Sequence, residues 1–206
     1  MSNNVVVDLF VEDRAHEEFI KPFVERIATA EHVEISLRVR SAKGGHPRAI
    51  EEFKLYQRIM EKGVLGEVHP DLLIVGIDGN CTTFAKKKKE IQEAATTLFS
   101  DRLVVACPDP HVERWYLADP DSFYEVVGRR PTLGKKKCAR DHYKGLLSKA
   151  IRAAGHPSTL GGIEFARELV EAMDLYRAGK NDRSLKAFVD ELRAALRTLR
   201  RDDESD

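Results

Sequence analysis

The chain has 206 residues, of which 42% are hydrophobic and 33% are charged, a composition typical of a globular protein of ordinary domain size. Its 34 basic and 34 acidic residues balance, so a nucleic-acid surface would have to be a local patch. The sequence lacks a long apolar run and a signal peptide, which predicts a cytoplasmic protein without a membrane span. Cys81, Cys107 and Cys138 are widely spaced, which favours reduced thiols over a disulfide framework or a zinc site.

Four predicted strands alternate with helical patterns in the first half of the chain. Apolar runs at 5–11, interrupted only by Asp8, and at 72–77 and 103–107 are typical of buried strands, and the alternating pattern at 33–40 favours a strand near a sheet edge. Helical patterns cover 19–27, where Pro22 predicts a kink or break, then 47–60, and a segment capped by Thr82 or Thr83 that extends through Leu98. This order predicts an α/β fold with a mainly parallel, four-stranded Rossmann-like sheet flanked by helices.

Helical patterns dominate the rest of the chain. A short helix is predicted at 111–118, followed by helices around 141–154, 162–177 and 184–200. We therefore predict an α/β core over residues 1–125, a helical C-terminal extension over 126–200 that packs on this core, and a charged tail over 201–206.

Polar side chains that can bind a cation follow three of the predicted strands, and they are Glu12, Asp13, Asp78, Asn80, Asp109 and Glu113. Because the carboxyl ends of parallel strands share one edge of a sheet, we expect these side chains to converge. Several oxygen ligands of this kind suit Mg²⁺ or Mn²⁺, ions that polarise phosphoryl groups. Each acid taken alone is also typical of a turn or a helix cap, Asp13 above all.

Two of these strand ends, Val11-Glu12 and Ile77-Asp78-Gly79-Asn80, resemble the motifs of the Toprim domain of topoisomerases, primases and OLD-type nucleases. Residues 5–150 are most similar to small stand-alone bacterial Toprim-like proteins related to OLD nucleases. Their Val-Glu-Gly-x-x-Glu motif has its counterpart at 11–17, and their Pro-x-x-x-Glu-x-Trp-x-Leu-x-Asp motif at 108–119. Asp13 stands in place of the motif's glycine, and Asn80 in place of a second acid, so one metal-binding charge is missing.

The resemblance implies a metal-dependent nuclease that hydrolyses the phosphodiester bonds of DNA or RNA, in phage defence or nucleic-acid processing, beside an ABC- or AAA-type ATPase. Glu12, Asp78, Asn80 and Glu113 would hold one or two Mg²⁺ or Mn²⁺ ions. Lys144, in a partial Tyr-x-Lys pattern, would stabilise negative charge that develops during the reaction.

Two basic stretches are candidate phosphate-backbone contacts, represented by Lys86, Lys87, Arg129, Arg130, Lys135 and Lys136. A solvated helix or loop would show the same pattern. The altered motifs leave open a second class of function, a non-catalytic Toprim-like module that binds nucleic acid or a protein partner. A phospho-acceptor fold ranks last, because no lysine closes a fifth parallel strand.

Overall fold

The computed structural model describes residues 4–64, 66, 68–133, 139 and 141–203. Its sheet consists of β1 (Val5–Val11), β2 (Ile35–Ser41), β3 (Leu72–Gly76) and β4 (Leu103–Ala106). All neighbouring strands are parallel, and their order is β2-β1-β3-β4. The predicted α/β, Rossmann-like fold with a four-stranded parallel sheet is therefore confirmed, and β2 lies at an edge as expected.

The order of the strands reverses between β1 and β3. The chain leaves β1 for β2 on one side, then returns to add β3 and β4 on the other side. The backbone pairing continues past the strand ends, since Glu12 N–H donates to Gly76 O at 2.8 Å and Ile77 N–H donates to Ala106 O at 3.1 Å. Open parallel sheets bind ligands at such a switch point, outside the carboxyl ends of the strands.

Helix α1 (Arg14–Ala30) covers one face of the sheet and contains Pro22 in its interior. The predicted break at Pro22 is therefore wrong. The helix buries Phe19, Ile20, Phe23 and further apolar residues of the same stripe completely. We infer that this burial, at roughly 1.5–3 kcal/mol for each large side chain, outweighs the cost of an interior proline, which is about 3 kcal/mol.

Helices α2 (His46–Glu61) and α3 (Phe84–Ala94) cover the opposite face. Thr83 caps α3 as predicted, but the helix ends at Ala94, four residues before the predicted Leu98. The buried amide of Gln57 explains the early end. It donates to Ala94 O at 3.0 Å and accepts from Thr96 N–H at 2.8 Å, so it satisfies backbone groups that a longer helix would have paired.

Six helices follow the sheet among the residues that the structure describes: α4 (Glu113–Tyr116), α5 (Pro120–Val127), α6 (His142–Ala153), α7 (Ala166–Ala172), α8 (Leu175–Asn181) and α9 (Arg183–Asp203). Helix α5 was not predicted, and the helix predicted at 162–177 is divided into a 3₁₀ turn, α7 and the start of α8. These helices pack on the α1 face of the sheet, where the ring of Phe188 stacks on Trp115 at 5.5 Å and contacts Phe23 at 5.8 Å.

The longest described helix, α9, has 21 residues but carries charged side chains along its length. Throughout the described part of the chain, every helix is too short or too polar to cross a bilayer.

Two of the three cysteines can be described. Cys107 is a free, buried thiol at the end of β4. Cys81 is disulfide-bonded, so the expectation of reduced thiols is wrong for this residue.

Candidate metal centre

Glu12 and Asp78 lie next to each other at the switch point. Glu12 follows β1 directly, Asp78 lies two residues beyond β3, and the backbone N–H of Asp78 donates to Glu12 Oε2 at 3.1 Å. Only 6% of Glu12 and 7% of Asp78 is exposed. The structure thus brings two carboxylates from different strands into one protected crevice, as the topology of a parallel sheet requires.

His16, which was not predicted as a site residue, lies in the first turn of α1 and is completely buried. Its Nε2 is 3.0 Å from Asp78 Oδ1, and its Nδ1 is 2.8 Å from Asp13 Oδ1. Asp13 also caps α1, since it accepts the backbone N–H of His16 at 3.1 Å. The signal in the sequence was Asp13, a candidate helix cap three residues before His16, since a cap side chain lies next to the backbone of the third helical residue.

Asp78 is the centre of this cluster because both of its oxygens accept hydrogen bonds. Besides His16, the backbone N–H of Val112 donates to Oδ1 at 2.9 Å, and His111 Nδ1 lies 2.9 Å from Oδ2. Burial alone would raise the pKa of Asp78, but the charge of His16 and the hydrogen bonds from His111 and His16 lower it. Asp78 is therefore ionised at neutral pH.

The carboxylate of Asp78 raises the pKa of both His16 and His111. Burial lowers the pKa of His16, but the charge of Asp78 and the hydrogen bonds to Asp13 and Asp78 raise it well above the usual 6.5. The hydrogen bond to Asp78 is also the main cause of a raised pKa for His111. Burial raises the pKa of Asp13, yet the hydrogen bond and charge of His16 bring it down to about 2.

Glu113, at the start of α4, is a carboxylate that forms no ion pair within the described residues. Burial and the charge of Asp78 both raise its pKa. A hydrogen bond from its own backbone and the charge of His16 oppose the rise only in part. A bound cation would relieve this unfavourable charge.

The donor set can hold a metal ion. One ligand atom each from Glu12, His16 and Asp78 lies within 4.8 Å of the others, and all three residues are buried. Carboxylate oxygen and imidazole nitrogen are both common ligands of divalent metals.

Ser184 at the start of α9 fixes the segment that carries His111 and Glu113. Its Oγ accepts from Trp115 Nε1 at 2.9 Å and from Asp109 N–H at 3.1 Å, and donates to Asp182 Oδ1 at 2.5 Å. Trp115 is fully buried in the core. Its indole therefore has a polar role as well, as part of the support for the site.

Asn80, the amide in place of the family's second acid, lies in a tightly held turn. Its φ of 49° is left-handed, a conformation that asparagine tolerates better than most residues, and its N–H donates to Pro110 O at 2.8 Å. Gly79 N–H donates to Pro108 O at 2.8 Å, and a Cβ at Gly79 would lie 3.0 Å from that oxygen. The backbone thus explains both residues.

The structure does not bring Lys144 to the cluster. Its side chain is exposed on α6, and the position of a Cβ at Gly161 would lie 3.9 Å from Lys144 Cε. Within the described ranges, no contact joins its ammonium to Glu12, Asp78 or Glu113.

The predicted nucleic-acid contacts differ in exposure. Lys86 is exposed near the start of α3, whereas Lys87 is buried and pairs with Glu90 at 2.7 Å. Arg129 and Arg130 are exposed, and Arg130 pairs with Asp121 at 2.5 Å. The predictions for Lys135 and Lys136 lie outside the described residues.

Comparisons with known proteins add no identification: no protein-family model, curated protein or solved structure matches the chain. The Toprim resemblance accordingly stays a prediction from the residues.

Proposed function

We propose that this chain is a divalent-metal-dependent nuclease of the Toprim type that hydrolyses phosphodiester bonds in DNA or RNA. The observation that carries the proposal is the meeting of Glu12 and Asp78, from β1 and β3, in a buried crevice at the switch point of a parallel sheet. Glu113 adds a third carboxylate, whose pKa is raised by burial and by the charge of Asp78. Acidic residues that come from separate strand ends and meet in one crevice are better explained by a bound cation than by roles in turns or helix caps.

Glu12, Asp78 and Glu113 would hold the ion. Glu12 and Asp78 fit it because they are close together and buried, and Glu113 fits it because burial and repulsion from Asp78 oppose its charge. When bound, a divalent ion would supply Lewis-acid polarisation of a phosphoryl oxygen. Asn80 remains a candidate neutral ligand on the resemblance alone.

The protein's own residues contribute position and charge. Val112 N–H and His111 hold Asp78 in one orientation, so no reorganisation is needed when a substrate arrives. Lys86, exposed just beyond the Asn80 turn, is the described cation best placed in sequence to contact a phosphate backbone. The placement of the enzyme beside an ATPase in phage defence rests on the family resemblance.

A cleavage assay tests the proposal. Purified protein is incubated with plasmid DNA, single-stranded DNA and tRNA, each with Mg²⁺, Mn²⁺ or EDTA. We expect cleavage of at least one substrate that depends on the metal and falls at least a hundredfold in Glu12→Gln and Glu113→Gln. These nearly isosteric changes remove charge without opening a cavity.

Glu34→Gln is the matched control, because Glu34 is exposed at the amino end of β2, away from the crevice. Cleavage that persists in Glu12→Gln and Glu113→Gln would refute the site assignment. Binding of a substrate without cleavage under any metal would favour the non-catalytic module instead.

A further inference from the structure

His16 occupies the position of a metal ligand in this cluster. Its Nε2 lies 3.0 Å from Asp78 Oδ1, and Glu12, His16 and Asp78 each offer a donor atom within 4.8 Å of the others. Two atoms bound to one ion at about 2.1 Å and at right angles are roughly 3.0 Å apart, and two on opposite sides are roughly 4.2 Å apart. The cluster therefore already has nearly the spacing of a coordination sphere.

Asp13 supports His16 in the way that a second carboxylate supports a metal-binding histidine. Nδ1 of His16 is hydrogen-bonded to Asp13 Oδ1 at 2.8 Å, which fixes the ring and directs Nε2 towards Asp78. Metal-bound histidines almost always have such a partner on the other ring nitrogen. Asp13 is itself held in place because it caps α1.

We propose that His16 Nε2 is a direct ligand of the cation, with Asp13 as its supporting carboxylate, and that the site prefers a transition ion such as Mn²⁺, Co²⁺ or Zn²⁺ over Mg²⁺. This inference rests on the proposed function for the existence of the metal site and adds the class of ion. The cation takes the place of the hydrogen between Nε2 and Asp78 Oδ1, and that proton leaves to solvent.

The preference follows from the nitrogen donor. Mg²⁺ favours oxygen ligands and keeps several of its waters, whereas imidazole binds first-row transition ions well. In a site built from carboxylates and one fixed imidazole, His16 should therefore be the ligand that favours transition ions over Mg²⁺. Removal of His16 should weaken the binding of transition ions far more than the binding of Mg²⁺.

Isothermal titration of the full-length, untagged protein with Mg²⁺, Mn²⁺ and Co²⁺ tests the inference, together with the visible absorption of the Co²⁺-loaded protein. His16→Gln removes the nitrogen ligand but keeps an amide that can donate to Asp78. Asp13→Asn removes the supporting charge, and it keeps the helix cap because asparagine caps as well as aspartate. His69→Gln is the control, since His69 is exposed before β3, at the opposite end of the sheet.

Most sites bind Co²⁺ more tightly than Mg²⁺, so the affinities of the wild-type protein alone do not test the inference. The test is how much the affinity for each ion changes when His16 is replaced. We expect His16→Gln to weaken Mn²⁺ and Co²⁺ binding at least tenfold and Mg²⁺ binding less than threefold, and to shift the Co²⁺ absorption. Asp13→Asn should weaken Co²⁺ binding about tenfold, and His69→Gln should have no effect. Equal losses for all ions, or none, in His16→Gln would overturn the inference while leaving the proposed nuclease intact. Failure of every ion to bind wild-type protein would overturn both.

Discussion

Replacement of Ser184 by alanine should destabilise the protein far more than a serine-to-alanine change usually does. Ser184 Oγ is the acceptor for two donors, the buried indole N–H of Trp115 and the backbone N–H of Asp109. A buried donor left without a partner costs about 1–3 kcal/mol. The Asp109 donor is only partly buried, so we assign it the lower end, about 1 kcal/mol. The free energy of unfolding should then fall by about 2–4 kcal/mol.

Urea unfolding followed by fluorescence measures this loss directly, because Trp115 is the single tryptophan of the chain. A loss of this size should lower the midpoint by about 1 M urea or more. Ser148→Ala is the control, since Ser148 Oγ bonds only to partly buried or exposed groups, and it should cost less than about 1 kcal/mol. If the two variants lost equal stability, the reasoning about the orphaned donors would be wrong.

Three further predictions concern the site, the pH dependence and the core. Glu113→Gln should raise the Tm of metal-free protein at pH 8, because it removes a carboxylate whose pKa is raised by burial and by Asp78. A lower Tm would contradict this. Against burial, the hydrogen bond from Arg177 holds the pKa of Asp119 down to about 2, so this pair stabilises the fold above the usual pKa of 3.8 and loses that contribution as the pH falls towards 2. The Tm difference between wild type and Asp119→Asn should shrink over this range, and a constant difference would refute the assignment. Phe188→Ala should cost about 3–5 kcal/mol in urea unfolding, since the ring is fully buried. A loss below about 1 kcal/mol would show that the stacking on Trp115 is dispensable.

The sheet could be predicted because its signals are local. Buried strands such as 5–11 and 72–77 are almost entirely apolar runs. The helical segments between the strands force neighbouring strands to pair in parallel. The predictions of helix ends and breaks failed where contacts between residues distant in the sequence determine the structure. Burial carries α1 through Pro22, and the Gln57 amide, which lies 37 residues earlier in the chain, ends α3 at Ala94. No local pattern around residues 94–98 contains that information.

The site could be predicted only in part, for a similar reason. Glu12 and Asp78 follow from strand topology, and the structure places them together. His16 was missed because a histidine on a helix face is usually a core or surface residue, and its contact with Asp78, 62 residues later in the chain, becomes visible only in three dimensions. Lys144 was predicted from a short motif without a topological argument, and no described contact brings it to the cluster.

The contact of Ser184 with the segment that carries His111 and Glu113 also sets the order in which the metal site can form during synthesis. Strands β1, β3 and β4 are complete once residue 106 has emerged from the ribosome, so Glu12 and Asp78 can already lie side by side. The Trp115 indole, however, can form its hydrogen bond only after Ser184, 69 positions later in the chain, has also emerged. We expect the loop with His111 and Glu113 to become fixed only then, so the nascent chain would carry a folded sheet well before it carries a finished metal site.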